Sequence, residues 1–176
     1  FDNENSYYSK EKKQTGSVGM RLSHKLTGLK RGNIQFDADL GAVLQYKHLD
    51  YQRNEQSYNI ERHAYSFRPT LTMEYRSNGK HKWSPELRLN YTGKQQLPNL
   101  LNMLQIEDYA DPLNLFRGNA SLQGEYAHRL ALRYGMSQRK TRHDMYLSLQ
   151  YTRTHNNIVA SSIYNTENGG RIYEMV

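Results

Sequence analysis

Along much of this chain, side chains of one parity are apolar and those of the other are polar. Val18, Met20, Leu22, His24 and Leu26 alternate with Ser17, Gly19, Arg21, Ser23, Lys25 and Thr27. Ile34, Phe36, Ala38, Leu40, Ala42, Leu44 and Tyr46 alternate with Gln35, Asp37, Asp39, Gln45 and Lys47. The same grammar returns at Tyr65–Tyr75, Trp83–Tyr91, Gly118–Ser137 and Met145–Tyr151. A period of two sends successive side chains to opposite faces of a strand, so about six strong strands are expected, each with one wet face. Weaker strand candidates lie around Tyr7 and from Ile158 to Val176.

Two environments satisfy such a pattern: a second protein layer over the apolar face of a soluble sheet, or lipid around a barrel. Only 36% of residues are apolar even with 15 Tyr counted, and mean hydropathy is -0.95. That leaves no strongly apolar second layer to cover the sheet. The expected strands run to roughly 11–18 residues, against a usual mode of about 5–6 in globular proteins. A tilted membrane strand needs about 9–11 residues, and the remainder then projects as a wet extension. The regular alternation and 11% aromatic content argue against disorder.

The connections carry a second signal. Short turns at Gly28–Asn33, Ser77–Lys82 and Gln138–His143 alternate with longer links at Gln52–Arg62 and Gly93–Gly118. An up-and-down meander puts alternate connections at opposite ends, and outer-membrane barrels trim one end while elaborating the other. Lys30, Arg31, Lys80, His81, Lys82, Arg139, Lys140, Arg142 and His143 crowd the short-turn end, whereas Glu55, Glu61, Glu107, Asp108 and Asp111 sit in the long links. Part of the net charge of +7 is thus a basic rim at one end. Within the long link, "LPNLLNMLQI" (Leu97–Ile106) reads as a single helical turn packed under a loop.

The parity assigns faces. Leu40, Leu44, Leu71, Met73, Leu87, Leu89, Leu130, Leu132, Leu147 and Leu149 are expected to face lipid. Asp37, Asp39, Arg68, Glu74, Glu86, Arg88, Arg129 and Arg133 are expected to face a polar lumen, paired across strands. Tyr46, Tyr75, Tyr91, Tyr126 and Tyr134 lie toward strand ends, where an amphipathic ring suits a bilayer interface. Catalytic and cofactor chemistry is not expected: cysteine is absent, seven His are scattered without metal-ligand spacing, and no phosphate loop or nucleophile elbow occurs. Nucleic acid is not an expected partner either, because most strand charges lie on the face opposite the tyrosines. The competing class is a soluble antiparallel β-domain binding glycan or nucleic acid through Tyr and Arg.

The stretch "LPNLLNMLQIEDYADPLNLFRGNASLQGEYAHRLAL" resembles the late barrel segment of TonB-dependent outer-membrane receptors of the Bacteroidetes-type outer-membrane β-barrel family. Pro98, Asp111, Pro112, Leu113, Asn114, Gly118, Asn119, Leu122, Glu125, Tyr126 and His128 carry the likeness; Ala120 and Gly124 depart from it where proline is usual, as does Ala127 where Ser is common. "YTRTHNNIVASSIY" (Tyr151–Tyr164) resembles the following strand and loop. The specific likeness spans about a third of the chain. It implies an all-β, antiparallel up-and-down meander forming part of a transmembrane β-barrel in the bacterial outer membrane. It also implies uptake of a nutrient or chelate, no cofactor, energy from the TonB system acting on a plug domain, and a substrate-binding lipoprotein as a further partner. With no leader, plug or terminal aromatic in residues 1–176, the expectation is a piece of a larger barrel domain.

Overall fold

The computed structural model describes residues 7–53, 56–79, 82–105, 107–108, 114–138, 140–164, 166 and 169–176. In chain order the elements are β1 (Tyr7–Leu29), β2 (Gly32–Arg53), β3 (Gln56–Ser77), β4 (Ser84–Gln96), a 3-10 turn (Leu100–Met103), β5 (Glu107–Asp108), β6 (Asn114–Arg117), β7 (Glu125–Gln138), β8 (His143–His155), β9 (Ala160–Tyr164) and β10 (Arg171–Met175). Six of them form one antiparallel sheet in the order β1-β2-β3-β4-β7-β8, and the short ones form a second sheet in the order β5-β6-β10-β9. Within the second sheet β6 and β10 run parallel.

The register explains why this sheet forms and no slipped version does. Three rows of partners cross all six strands on one face: Leu22–Ala38–Leu71–Tyr91–Leu130–Tyr151, His24–Phe36–Met73–Leu89–Leu132–Leu149 and Leu26–Ile34–Tyr75–Leu87–Tyr134–Leu147. On the other face run Arg21–Asp39–Thr70–Thr92–Arg129–Thr152 and Lys25–Gln35–Glu74–Arg88–Arg133–Ser148. Slipping any strand by one residue would send its charges into the apolar rows. Among the described residues no protein layer lies over the apolar face: Leu147 and Leu149 keep 53% and 55% of their surface exposed.

The buried cluster lies elsewhere. Leu49, Tyr51, Leu100, Met103, Leu104 and Leu122 pack together with Tyr58, Ile60, Ile158 and Met175 around them. Leu49 and Tyr51 share the parity of Asp37 and Asp39, and Tyr58 and Ile60 share that of Arg68 and Glu74, so the cluster sits on the polar face, beyond the charged rows. At this level the opposite face carries His48, Asp50, Glu61 and His63. The two faces of β2 and β3 have therefore exchanged polarity.

This exchange corrects several sequence-based expectations. Gln52–Arg62 is not a long link, since β2 and β3 stay paired up to Arg53 and Gln56. Its apolar residues changed face, which broke the stripe without ending the strand. Tyr7 does not begin a separate weak strand but the 23-residue β1, and the sheet strands run from 13 to 23 residues rather than 11–18. The weaker strand candidate from Ile158 to Val176 is present as β9 and β10, which belong to the second sheet. Leu122, in phase with the stripe of β7, lies before that strand begins and turns into the cluster. The helical turn expected within Leu97–Ile106 is present as the 3-10 turn, with Asn99 Oδ1 capping Leu101 N at 3.1 Å.

Leu49 is 1% exposed, so Leu49→Ala should cost about 2–5 kcal/mol locally. Hydrogen exchange should rise between Leu97 and Gly124 while the β7–β8 amides keep their protection. Equal loss along β7 and β8 would show that the cluster is not a local unit.

Candidate functional site

The residues of the family-like motif converge at the end of the sheet away from the tight turns. β3 and β4 are paired only from Thr70–Thr92 to Arg76–Glu86, whereas β3 follows β2 further and β4 follows β7 to Gln96–Glu125. Above Thr70 the sheet forks, and the segment between β4 and β7 folds into the polar side of the fork. Pro69 stands at the first position past the last β3–β4 pair, where a residue without an N–H donor disturbs least.

Backbone carbonyls and two cations fasten this segment. Lys47 Nζ donates to Pro98 O at 3.2 Å, and an Arg62 guanidinium nitrogen donates to Ala120 O at 2.8 Å. Asn119 N donates to Asn102 O at 2.7 Å, Asn119 Oδ1 accepts from Ser121 N at 2.9 Å, and Asn119 Nδ2 donates to Met175 O at 2.9 Å, tying the second sheet on. Glu125 Oε1 accepts from Ile158 N at 2.7 Å. Gly118 passes so close to Leu104 that an added Cβ would fall 1.6 Å from the Leu104 carbonyl oxygen, so a side chain there forces the segment off its seat.

At the fork itself Tyr126 Oη donates to Phe67 O at 2.8 Å, supplying a partner to a carbonyl near the parting of β3 and β4. Gly93 makes room for that reach, because a Cβ there would lie 2.3 Å from the Tyr126 hydroxyl. Burial, with Tyr91 adding to it, raises the Tyr126 phenol above its ordinary value and keeps the hydroxyl a donor. His128 Nδ1 lies 2.8 Å from the Tyr91 hydroxyl, and its ring meets that of His155 edge-on at 5.3 Å.

Of the eleven motif residues, then, Pro98, Gly118, Asn119, Leu122, Glu125 and Tyr126 join the segment to its seat, and His128 borders it. Asn114 opens β6 opposite Arg171. Asp111, Pro112 and Leu113 lie outside the described residues, as do Lys80, His81 and Arg139 of the basic rim and Glu55 of the acidic links. Sequence reasoning missed Lys47, Arg62 and the apolar quartet Leu49, Tyr51, Tyr58 and Ile60. The parity break after Tyr46 was the available signal.

The polar face carries part of the expected cross-strand pairing, beside contacts within single strands. Arg21 pairs with Asp39; Arg88 and Arg76 approach Glu74 at 3.1 and 3.5 Å; Asn90 Nδ2 donates to Thr72 Oγ1 at 2.8 Å. Asp37 accepts from Ser23 and from Gln35, the latter at 2.9 Å. Arg129 donates to Gln150, and Arg133 lies 5.7 Å from the Tyr146 ring centre. On the opposite face His48 stands between Asp50 and Glu61, 3.0 and 3.2 Å from them. Tyr46 Oη donates to the same Glu61 oxygen at 3.1 Å. Burial first, and then that carboxylate, raise the Tyr46 phenol above its ordinary value. Among the described residues no group of three or more His, Asp or Glu is placed to hold a metal ion.

A family model described as "Outer membrane protein beta-barrel family" matches residues 27–175. The chain belongs to this family. The six-stranded sheet is accordingly outer-membrane barrel sheet, and the chain resides in the bacterial outer membrane. The match reaches well beyond the motif, across β2, β3 and β8, so the sheet grammar and the motif point the same way. No curated protein matches the chain significantly.

Tyr126→Phe removes the bond to Phe67 O and leaves the ring. It should cost about 1 kcal/mol and raise amide exchange in β3 just above Pro69. Unchanged exchange there would show that the fork does not depend on the hydroxyl.

Proposed function

We propose that the chain is the wall and part of the external mouth of a TonB-dependent transporter that imports a nutrient or chelate across the outer membrane, and that it acts in transport rather than catalysis. The observation that carries this reading is the uncovered apolar belt, three of whose rows continue unbroken over six strands. From Ile34 to Leu44 on β2 it spans 11 residues, which matches the roughly 9–11 residues of a tilted membrane strand. Tyr75, Tyr134 and Trp83 border it toward the tight turns, and Tyr46, Tyr65 and Tyr126 toward the fork, as aromatic girdles border the apolar band of such barrels. Exposed to water, a belt of this extent would be adhesive.

In this reading Leu40, Leu44, Leu71, Met73, Leu87, Leu89, Leu130, Leu132, Leu147 and Leu149 meet outer-membrane lipid, and the ion-paired face lines the lumen. The fork and its seated segment form part of the mouth, where cargo and a substrate-binding lipoprotein would arrive. Residues 1–176 are then one stretch of a larger barrel whose plug couples it to the TonB system. The family motif supports this finer assignment by its use: its residues anchor the mouth segment.

Adjacent residues on opposite faces provide the test. Leu132→Arg should impair assembly into the membrane, at about 2–4 kcal/mol near the bilayer midplane, while Arg133→Leu should be much milder. Heat-modifiable gel mobility and protease protection in outer-membrane fractions measure both. Equal sensitivity of the two positions would refute the facing assignment.

A further inference from the structure

On the polar face, at the level where β3 has just parted from β4, Gly19 on β1 and Gly41 on β2 are partners, and Arg68 on β3 is the next residue in the same row. Two glycines in succession leave the sheet without side chains at that point. The result is a hollow of about 560 Å³ floored by backbone and bordered by Ser17, Arg21, Asp39, Arg68 and Thr70. Its volume falls within the roughly 300–1,000 Å³ of small-molecule sites.

The arginines of this face differ in how they are occupied. Beyond the hollow, toward the mouth, Arg62 is held by Ala120 O. Arg21 is paired with Asp39, Arg76 and Arg88 with Glu74; Arg129 donates to Gln150, and Arg133 lies against Tyr146. Arg68 is exposed and, among the described residues, has no carboxylate or hydrogen-bond partner. The hollow thus presents two guanidinium groups against one carboxylate, and that carboxylate is already bonded to Arg21. A fork of N–H donors beside open space is suited to a planar anion.

We propose that this hollow is a binding site for an anionic solute bearing carboxylate or phosphate groups, with Arg68 as its principal contact. The proposal rests on reading the polar face as a lumen wall. It then narrows the cargo class to anions that pass the mouth and meet Arg68 as the first unengaged guanidinium inside. Gly19 and Gly41 are its floor: any larger residue would fill the space the solute needs.

The test uses the complete protein purified in detergent, titrated calorimetrically at low ionic strength with citrate and with inorganic phosphate, and with maltose as the neutral probe. Citrate, phosphate or both should bind, with affinity falling as salt rises, and maltose should not; which anion binds more tightly distinguishes a carboxylate cargo from a phosphate one. Arg68→Gln should weaken the anion roughly ten-fold or more, Arg68→Lys should restore part of it, and Arg153→Gln on the opposite face should change nothing. Gly41→Leu, which keeps the guanidinium and fills the floor, should also weaken it. Heat-modifiable mobility checks that each variant is folded. No anion binding by the wild type, or binding that survives Arg68→Gln in folded protein, would overturn the site. Loss of protease protection when the wild type is reconstituted in vesicles would overturn the lumen-wall reading instead.

Discussion

Hydrocarbon solvates no backbone N–H or C=O, so a chain that crosses it must close every main-chain hydrogen bond with itself. In this protein that requirement is met by strands, and the rest of the structure is shaped by it. Strands that are fully laddered expose two faces, and each must suit its own surroundings. The register from β1 to β8 delivers this in the rows that cross all six strands, with apolar partners beside apolar ones and charged beside polar. Surface ion pairs such as Arg88–Glu74 add little stability individually. They keep charge on one face, and that placement matters more than their energy.

The same strands leave the hydrocarbon while still paired, and there the requirement reverses. Outside the belt one side meets water and the other meets a folded segment of the chain itself. Leu49, Tyr51, Tyr58 and Ile60 answer to the segment; His48, Asp50 and Glu61 answer to water. One pair of strands thus serves as membrane wall over part of its length and as a two-layer protein over the rest. The family-like motif belongs to the second part: Gly118, Asn119 and Glu125 determine how the segment sits, and none of them faces the apolar belt.

Most of the belt could be read from the sequence, because a period of two is imposed residue by residue and needs no tertiary information. All ten residues expected on its apolar face do share one face, and the eight expected opposite share the other. What escaped was everything that depends on a change of surroundings partway along a strand. Reading Gln52–Arg62 as a link assumed that a broken stripe means a broken strand, and reading Leu122 as part of β7 assumed that an unbroken stripe means an unbroken one. The backbone violates both assumptions at places where solvent, not hydrogen bonding, has changed. The seat of the motif was similarly out of reach, since Lys47 and Pro98 or Arg62 and Ala120 meet only after the fork has formed.

The parting of β3 from β4 also bears on how the sheet responds to pulling. Two strands that diverge at one end concentrate tension on the last pair, and in a plain ladder such a tear advances one bond at a time. Here the tip of the tear is spanned by a phenol from a third strand, anchored on β7 and grasping β3 across the bare backbone of Gly93. Force arriving through the projecting hairpin is thereby shared with a strand that the tear has not reached, as a rivet set beyond the end of a seam halts the rip.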